Sequence, residues 1–310
     1  MLFLGKRPED SLLSGDRFVP SGVVPEVSEV AVQRRVCGSL ECAGAWTAPW
    51  RSRKRPVFEE QWGCSGRCVL ALVRAAIRRE AGDGGVGEPV QHRHRVPLGL
   101  VLLAQGWITH PQLQAALEVQ RLRGGRIGER LVEEFGLEAE QITRGLSMQW
   151  SCPVLSASGF SPKEMALVVP RVLVQEFGLL PLRVAGGRIL YVGFEDRLDA
   201  GAALALEQMT ELKVESGLVR TEEYSAARRN LLECNGVPVK TETVAEADSL
   251  AGRVTAILEQ KQPVASKLVR VHQYYWLRLW LETGAKSGQG TLPRGSEDVQ
   301  DYVFTVGGAS

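Results

Sequence analysis

The chain has 310 residues, a formal net charge of +1 at pH 7, and 44% hydrophobic and 24% charged residues. A nearly balanced charge excludes a global field drawing the protein to nucleic acid or a membrane surface, so any such attraction has to be local. No run of about 18 apolar residues occurs, which excludes an apolar helical span on pattern grounds.

The start, Met1-Leu2-Phe3-Leu4-Gly5-Lys6, lacks the order of a signal peptide, basic and then apolar, so the cytoplasm is the expected compartment. Six cysteines in that compartment are expected as free thiols or metal ligands rather than disulfides. The 33 glycines and 6% aromatics point to several small modules with many turns.

Residues 1–36 mix Pro, Gly, Ser and charge without periodicity and are expected to form a disordered tail. A finger-like segment, 37–81, follows. Its pattern is Cys37-x4-Cys42, then 21 residues, then Cys64-x3-Cys68. Two close pairs about 20 residues apart suit four thiolates around a tetrahedral, structural zinc ion (Zn2+), with no open position for catalysis. Gly38, Gly63 and Gly66 sit where the turns need them, and a helix opens at the second pair with Val69, Leu72, Val73, Ala76 and Ile77 on one stripe. Knuckle, hairpin and helix in that order resemble treble-clef zinc fingers. Trp50, Arg51, Arg53, Lys54 and Arg55, with Trp46 nearby, offer an alternative role: stacking and phosphate contacts on nucleic acid. Against it stands a solvated hairpin tip that balances the charge of the zinc-thiolate centre.

A Gly-rich linker (82–95) leads to a helical region, 96–152, that is internally doubled. Pro97-Leu98-Gly99-x2-Leu102-Leu103-x2-Gly106 continues to Leu113, Leu117 and Gln120. Twenty-nine residues later come Arg126-Ile127-Gly128-x2-Leu131-Val132, then Ile142, Leu146 and Gln149. Each unit spans 24 residues, a spacer of five separates them, and each reads as helix, glycine turn, helix. Thr109-His110-Pro111-Gln112 is a capping pattern for the second helix of the first unit. An α/β stretch follows over 153–234. It holds a Ser161-Pro162-Lys163-Glu164 capping box, a hairpin turning at Gly186-Gly187, a helix over 198–209, a strand over 212–219 and a helix over 221–232.

The doubled unit RLGxxLLxxG…LxxxLxxQ resembles the MshEN family, the amino-terminal domains of type II secretion and type IV pilus assembly ATPases, over about 97–233. The resemblance implies a site for cyclic di-GMP across the two units, formed by Leu98, Gly99, Leu113, Leu117, Gln120, Arg126, Ile127, Gly128, Ile142, Leu146 and Gln149, and partners in secretion or pilus assembly. In chemical terms Gly at the third position lets backbone N–H groups approach a phosphate, and Arg at the first stacks on guanine or pairs with phosphate. The sequence departs from the family twice. Pro97 stands where the first unit needs Arg, and the second unit's turn glycine is Gly136, one place late, behind Phe135.

A second linker is expected over 235–245, and a small helix-on-sheet module over 246–310, with a helix at 248–260 and β-formers from Val264 to Leu281. The expected class is therefore α+β multidomain: a small four-cysteine finger, a tandem helical repeat with a small α/β subdomain, and the last module. No G-x4-G-K-[ST] phosphate loop occurs; Gly284-Ala285-Lys286-Ser287-Gly288 has the wrong spacing. His92, His94, His110 and His272 form no triad or metal-hydrolase pattern. The sequence therefore predicts a non-catalytic regulatory or adaptor protein, with a zinc-finger nucleic-acid regulator as the alternative and a ligand-free scaffold as the third class.

Overall fold

The computed structural model describes residues 36–42, 57–83, 96–281, 293 and 295–307. The expected tail, the basic hairpin tip with Trp46, Trp50, Arg51, Arg53, Lys54 and Arg55, the histidines of the first linker and the Gly284–Gly288 run lie outside the described residues.

The finger segment forms a short hairpin, β1 (Val57–Phe58) and β2 (Gln61–Trp62), and a helix, α1 (Gly66–Asp83). Ser65 starts α1: its Oγ accepts the Cys68 N–H at 3.2 Å and its carbonyl accepts the Val69 N–H at 3.0 Å. The hairpin turn is Glu59-Glu60, with φ of 46° and 65°, an unusual place for two carboxylates because both positions favour Gly or Asn.

The doubled region folds as four helices, α2 (Leu98–Ala104), α3 (His110–Arg123), α4 (Ile127–Phe135) and α5 (Ala139–Trp150). Helix starts in the two units differ by the 29 residues of the sequence repeat, and so do the N-caps Thr109 and Glu138. In each, the N-cap N–H donates to a glutamine three places on, Gln112 at 2.8 Å and Gln141 at 3.1 Å. Leu102 and Leu131 are equivalent and fully buried, as are Ile108 and Leu137 nearly so. The late glycine of the second unit has a simple cause. Helix α4 runs two residues longer than α2, so the left-handed residue that ends it is Gly136 (φ 66°), whereas Gly106 (φ 69°) serves the first.

After the repeat come two short helices, α6 (Pro162–Met165) and α7 (Arg171–Phe177), then β3 (Leu180–Ala185), β4 (Ile189–Phe194), α8 (Ala200–Thr210), β5 (Lys213–Leu218) and α9 (Thr221–Glu233). The sheet order is β3-β4-β5, antiparallel then parallel, with α8 as the crossover. One expectation fails locally: Ser161 makes no side-chain cap bond, α6 ends after one turn, and Pro170 instead stands as the N-cap of α7.

The last elements are β6 (Val239–Val244), α10 (Ala247–Lys261), β7 (Ala265–Val271), β8 (Tyr274–Trp280) and β9 (Val299–Val306), in a sheet of order β6-β9-β8-β7. Strand β6 occupies what the sequence reads as linker. Its Val-Lys-Thr-Glu-Thr-Val is short and polar because it pairs with β9 on one side only. His272 lies in the β7–β8 turn at φ 53°, not within a strand.

The sheet is covered on both faces. Leu268, Tyr275, Leu277, Leu279, Tyr302 and Phe304 pack under α10 and also under Val69, Leu72, Val73, Ala76 and Ile77 of α1. Val269, Val271, Trp276, Trp280, Val299 and Val303 face the other way, into the core of the α/β subdomain. A buried Val, Leu or Ile contributes about 1.5–3 kcal/mol. Helix α1 is therefore a structural layer of the last module, although the sequence presents the two as separate pieces.

Candidate functional site

The four cysteines of the quartet come together. The Sγ atoms of Cys37, Cys42, Cys64 and Cys68 all lie within 4.8 Å of one another. Cys42 and Cys64 are 3.5 Å apart, as are Cys64 and Cys68. Two turns bring them there. Gly38 N–H donates to the Trp62 carbonyl at 2.9 Å, tying the first knuckle to the end of β2, and Cys42 N–H closes that knuckle on the Ser39 carbonyl at 3.1 Å. Cys64 N–H points at the Cys37 sulfur at 3.4 Å, the usual support for a thiolate.

The donor set fits a metal ion. Four thiolates around one ion with bonds of about 2.3 Å sit roughly 3.8 Å apart, so the two 3.5 Å pairs would open slightly and no pair would have to close by more than about 1 Å. Without an ion the thiols differ. Burial, then the neighbouring thiols, push Cys64 up to about 12, while the Ser65 hydroxyl draws Cys68 down to about 7. A bound dication removes that contrast, because its charge favours the thiolate at every position.

In the doubled region α2 packs on α5 and α3 on α4, so each unit is completed by the other. The residues the sequence singles out divide by burial. Leu98, Gly99, Leu113 and Gly128 are buried; Gln120, Ile127, Ile142, Leu146 and Gln149 are half-buried; Leu117 and Arg126 are exposed. The glycines serve packing. A Cβ on Gly99 would lie 2.6 Å from Leu113 Cδ1, and one on Gly128 2.9 Å from Ile142 Cγ2, the same contact in each unit. In this structure both glycines allow the close crossing of paired helices.

The two glutamines are also equivalent and engaged. Gln120 Nε2 donates to the Gly125 carbonyl at 2.9 Å, and Gln149 Nε2 donates to the Val96 carbonyl at 2.9 Å. Each unit's last glutamine thus holds the chain just ahead of the first helix of the other unit. That exchange places Pro97 and Arg126, the first residues of the two units, in equivalent settings.

Arg126 is not isolated. Its guanidinium lies 3.3 Å from Asp196 Oδ2 and 3.6 Å from Glu195 Oε2, both in the loop after β4. Sequence reading misses these carboxylates because they approach from a segment about 70 residues away; only the acidic pair straight after a strand hints at them. The arrangement joins a half-exposed cation and a pair of carboxylates. The two carboxylates offset much of the guanidinium's charge.

No family model matches the chain. Bacteriophage adsorption protein B of Escherichia coli (strain K12) is 30% identical over 119 residues, 38% of this chain and 16% of that protein. The type IV pilus assembly ATPase PilB of Myxococcus xanthus (strain DK1622) is 29% identical over 94 residues, 30% of this chain and 17% of that protein. A solved structure of MshE with cdg aligns with 44% of this chain and 99% of its own, at 25% identity and a TM-score of 0.38. The matched stretch is about a sixth of the length of these curated relatives. Among the described residues no helix is long and apolar enough to cross a membrane. The resemblance of the doubled unit to the MshEN family is thus accompanied by similarity, over 94 residues of this chain, to part of a type IV pilus assembly ATPase.

Proposed function

We propose that this chain is a non-catalytic regulatory or adaptor protein whose MshEN-like domain senses cyclic di-GMP or docks onto secretion or pilus assembly proteins, with a structural zinc ion in its finger. The observation that carries the reading is the exchange of glutamines between the two units, which holds Pro97 and Arg126 in equivalent positions, as a ligand bound across the two units would need. Similarity over 94 residues to a pilus assembly ATPase supports the same setting for the domain.

Each residue then has a role. Arg126 stacks on or pairs with one guanine, while Asp196 and Glu195 accept hydrogen bonds from donors on that base's edge, which guanine offers at N1 and N2. Leu117 and Leu146, equivalent across the repeat, give the apolar floor. Proline at position 97 supplies neither charge nor donor, so the site is strong in one half and weak in the other.

Calorimetric titration with cyclic di-GMP tests this. Binding is expected, weakened at least about tenfold by Arg126→Ala and strengthened by Pro97→Arg, each guanidinium contact counting for about 1.4 kcal/mol or more. A silent titration for both the wild type and Pro97→Arg removes the sensor and leaves docking. The nucleic-acid alternative rests on residues outside the described ones, and nothing in the geometry favours it.

A further inference from the structure

The last sheet has two ends, β7 and β6. At β7 the finger takes the outward backbone groups, with Glu59 N–H on the Ser266 carbonyl at 3.1 Å and Leu268 N–H on Glu59 Oε1 at 3.3 Å. At β6 they are unpaired. Strand β6 bonds β9 through alternate residues: the Pro238 carbonyl accepts the Asp301 N–H at 3.0 Å, and the Val244 carbonyl accepts the Gly307 N–H at 2.8 Å. Lys240 and Glu242 share that parity. The N–H and C=O of Val239, Thr241 and Thr243 therefore point away from the sheet, and among the described residues nothing bonds them. An end strand in that state accepts a further strand. The charged side chains of β6 leave the edge clear. Lys240 Nζ lies 6.0 Å from the Tyr302 ring centre and Glu242 is held by Arg253 at 2.6 and 2.7 Å, both on the α10 face.

Beside the start of β6 lies a cavity of about 470 Å³, the size of a small-molecule site. Its wall is largely apolar, with Ala166, Val174, Leu231, Val237 and Val239. Arg171 is the one charged residue among the described residues that line it. The Arg171 side chain is exposed, its Nη2 donates to the Cys234 carbonyl at 3.0 Å, and among the described residues no carboxylate pairs with it. Such a cavity suits an apolar group that ends in an anion. Val239 belongs to both features. Its outward backbone groups open the edge, and its side chain lines the cavity on the sheet face turned to the α/β subdomain.

We propose that β6 and this cavity together take the carboxyl-terminal end of an extended peptide from a partner protein. The peptide residue opposite Val239 puts its side chain on the cavity's side of the sheet, because directly opposed residues share a face. Its terminal carboxylate then meets Arg171. With the terminus at the start of β6, the peptide runs antiparallel to the strand. That pairing sets the last residue against Val239, the penultimate one against Lys240, and those two and four places before the last against Thr241 and Thr243. The fitting sequence ends in a large apolar residue preceded by an acid, with β-branched residues third and fifth from the end. Neither the cysteine cluster nor Arg126 takes part.

The test is fluorescence anisotropy of the full chain with a dye-labelled peptide ending Thr-Lys-Thr-Glu-Phe as a free carboxylate. Saturable binding is expected, weakened at least about tenfold when the terminus is an amide, and that preference should vanish in Arg171→Met. Methylating the backbone nitrogen third from the end removes a bond to the Thr241 carbonyl and should cost at least about tenfold. Methylating the penultimate nitrogen, which faces away from β6, should cost little. No saturation at millimolar peptide overturns the proposal. So does binding that ignores which nitrogen is methylated, the result for a carboxylate that enters the cavity without pairing to the strand. A preference for the acid that survives Arg171→Met overturns it as well. If that variant loses its circular dichroism, the peptide changes, which leave the protein untouched, decide alone.

Discussion

Cys64→Ser is expected to strip the zinc from the purified protein and to lower its melting temperature by about 6–12 °C. The cost follows from position. Cys64 is in contact with Cys42 and Cys68 and lies between β2 and α1, so its loss opens the tetrahedron and unties the knuckle from the hairpin. Isolated fingers take about 10 kcal/mol or more of folding energy from their metal. Here α1 remains packed on α10 through Val69, Leu72, Val73 and Ile77, so part of the layer survives. A loss of about 3 kcal/mol or more is the reasonable remainder, and for a chain of this size each kcal/mol is worth roughly 2–4 °C. Elemental analysis should find about one zinc per chain in the wild type and none in the variant. A wild type that is metal-free and folded contradicts the metal reading. Thiolates must shed their protons to bind the ion, so retention should also weaken as pH falls.

Asp301→Ala is expected to cost more than removing any surface ion pair of the protein, about 3–5 kcal/mol. Arg278 and Asp301 are 2% and 0% exposed, and they meet in a two-point pair, Nε to Oδ1 at 2.8 Å and Nη2 to Oδ2 at 2.7 Å. The third arm of the guanidinium, Nη1, donates to the Val168 carbonyl at 3.0 Å. This pair sits on the sheet face that meets the α/β subdomain, beside Trp276, which lies under the guanidinium at 4.9 Å. Removing the carboxylate leaves a cation sealed in an apolar layer. Replacing both partners together, as Arg278→Met with Asp301→Leu, removes the stranded charge and should recover much of the loss, short of the Val168 bond. Chemical denaturation of the two variants and the wild type measures the difference. Equal losses for the single and the double replacement would show that shape, not charge, sets the cost. By contrast, pairs such as Arg144–Glu140 are more than half exposed at both ends and should each be worth under about 1 kcal/mol.

What the sequence disclosed and what it hid follow from the range of the forces involved. The doubled unit was legible because its signal is local: leucines at helical spacing, a cap three residues before a glutamine, and a constant offset that the helix starts reproduce. The cysteine quartet was legible for a similar reason, since two close pairs constrain the turns whatever lies between them. Strand β6 was hidden because an edge strand needs little apolar character, and Asn235-Gly236-Val237-Pro238 ahead of it reads as a break. The joining of α1 to α10 was hidden because an apolar stripe says that a helix packs and not against what. Glu195 and Asp196 reached Arg126 only through the fold of the α/β subdomain, and Glu59-Glu60 carries none of the Asn-Gly signature of the turn it makes.

Hydrogen exchange with and without cyclic di-GMP addresses the proposed sensing face most directly. The account predicts slowed exchange at the start of α4, around Arg126 to Gly128, and in the loop at Glu195 and Asp196, with a smaller effect at the start of α2 where Pro97 replaces a cation. Protection that appears instead on the last sheet or in the finger, or binding with no change at either helix start, would contradict it.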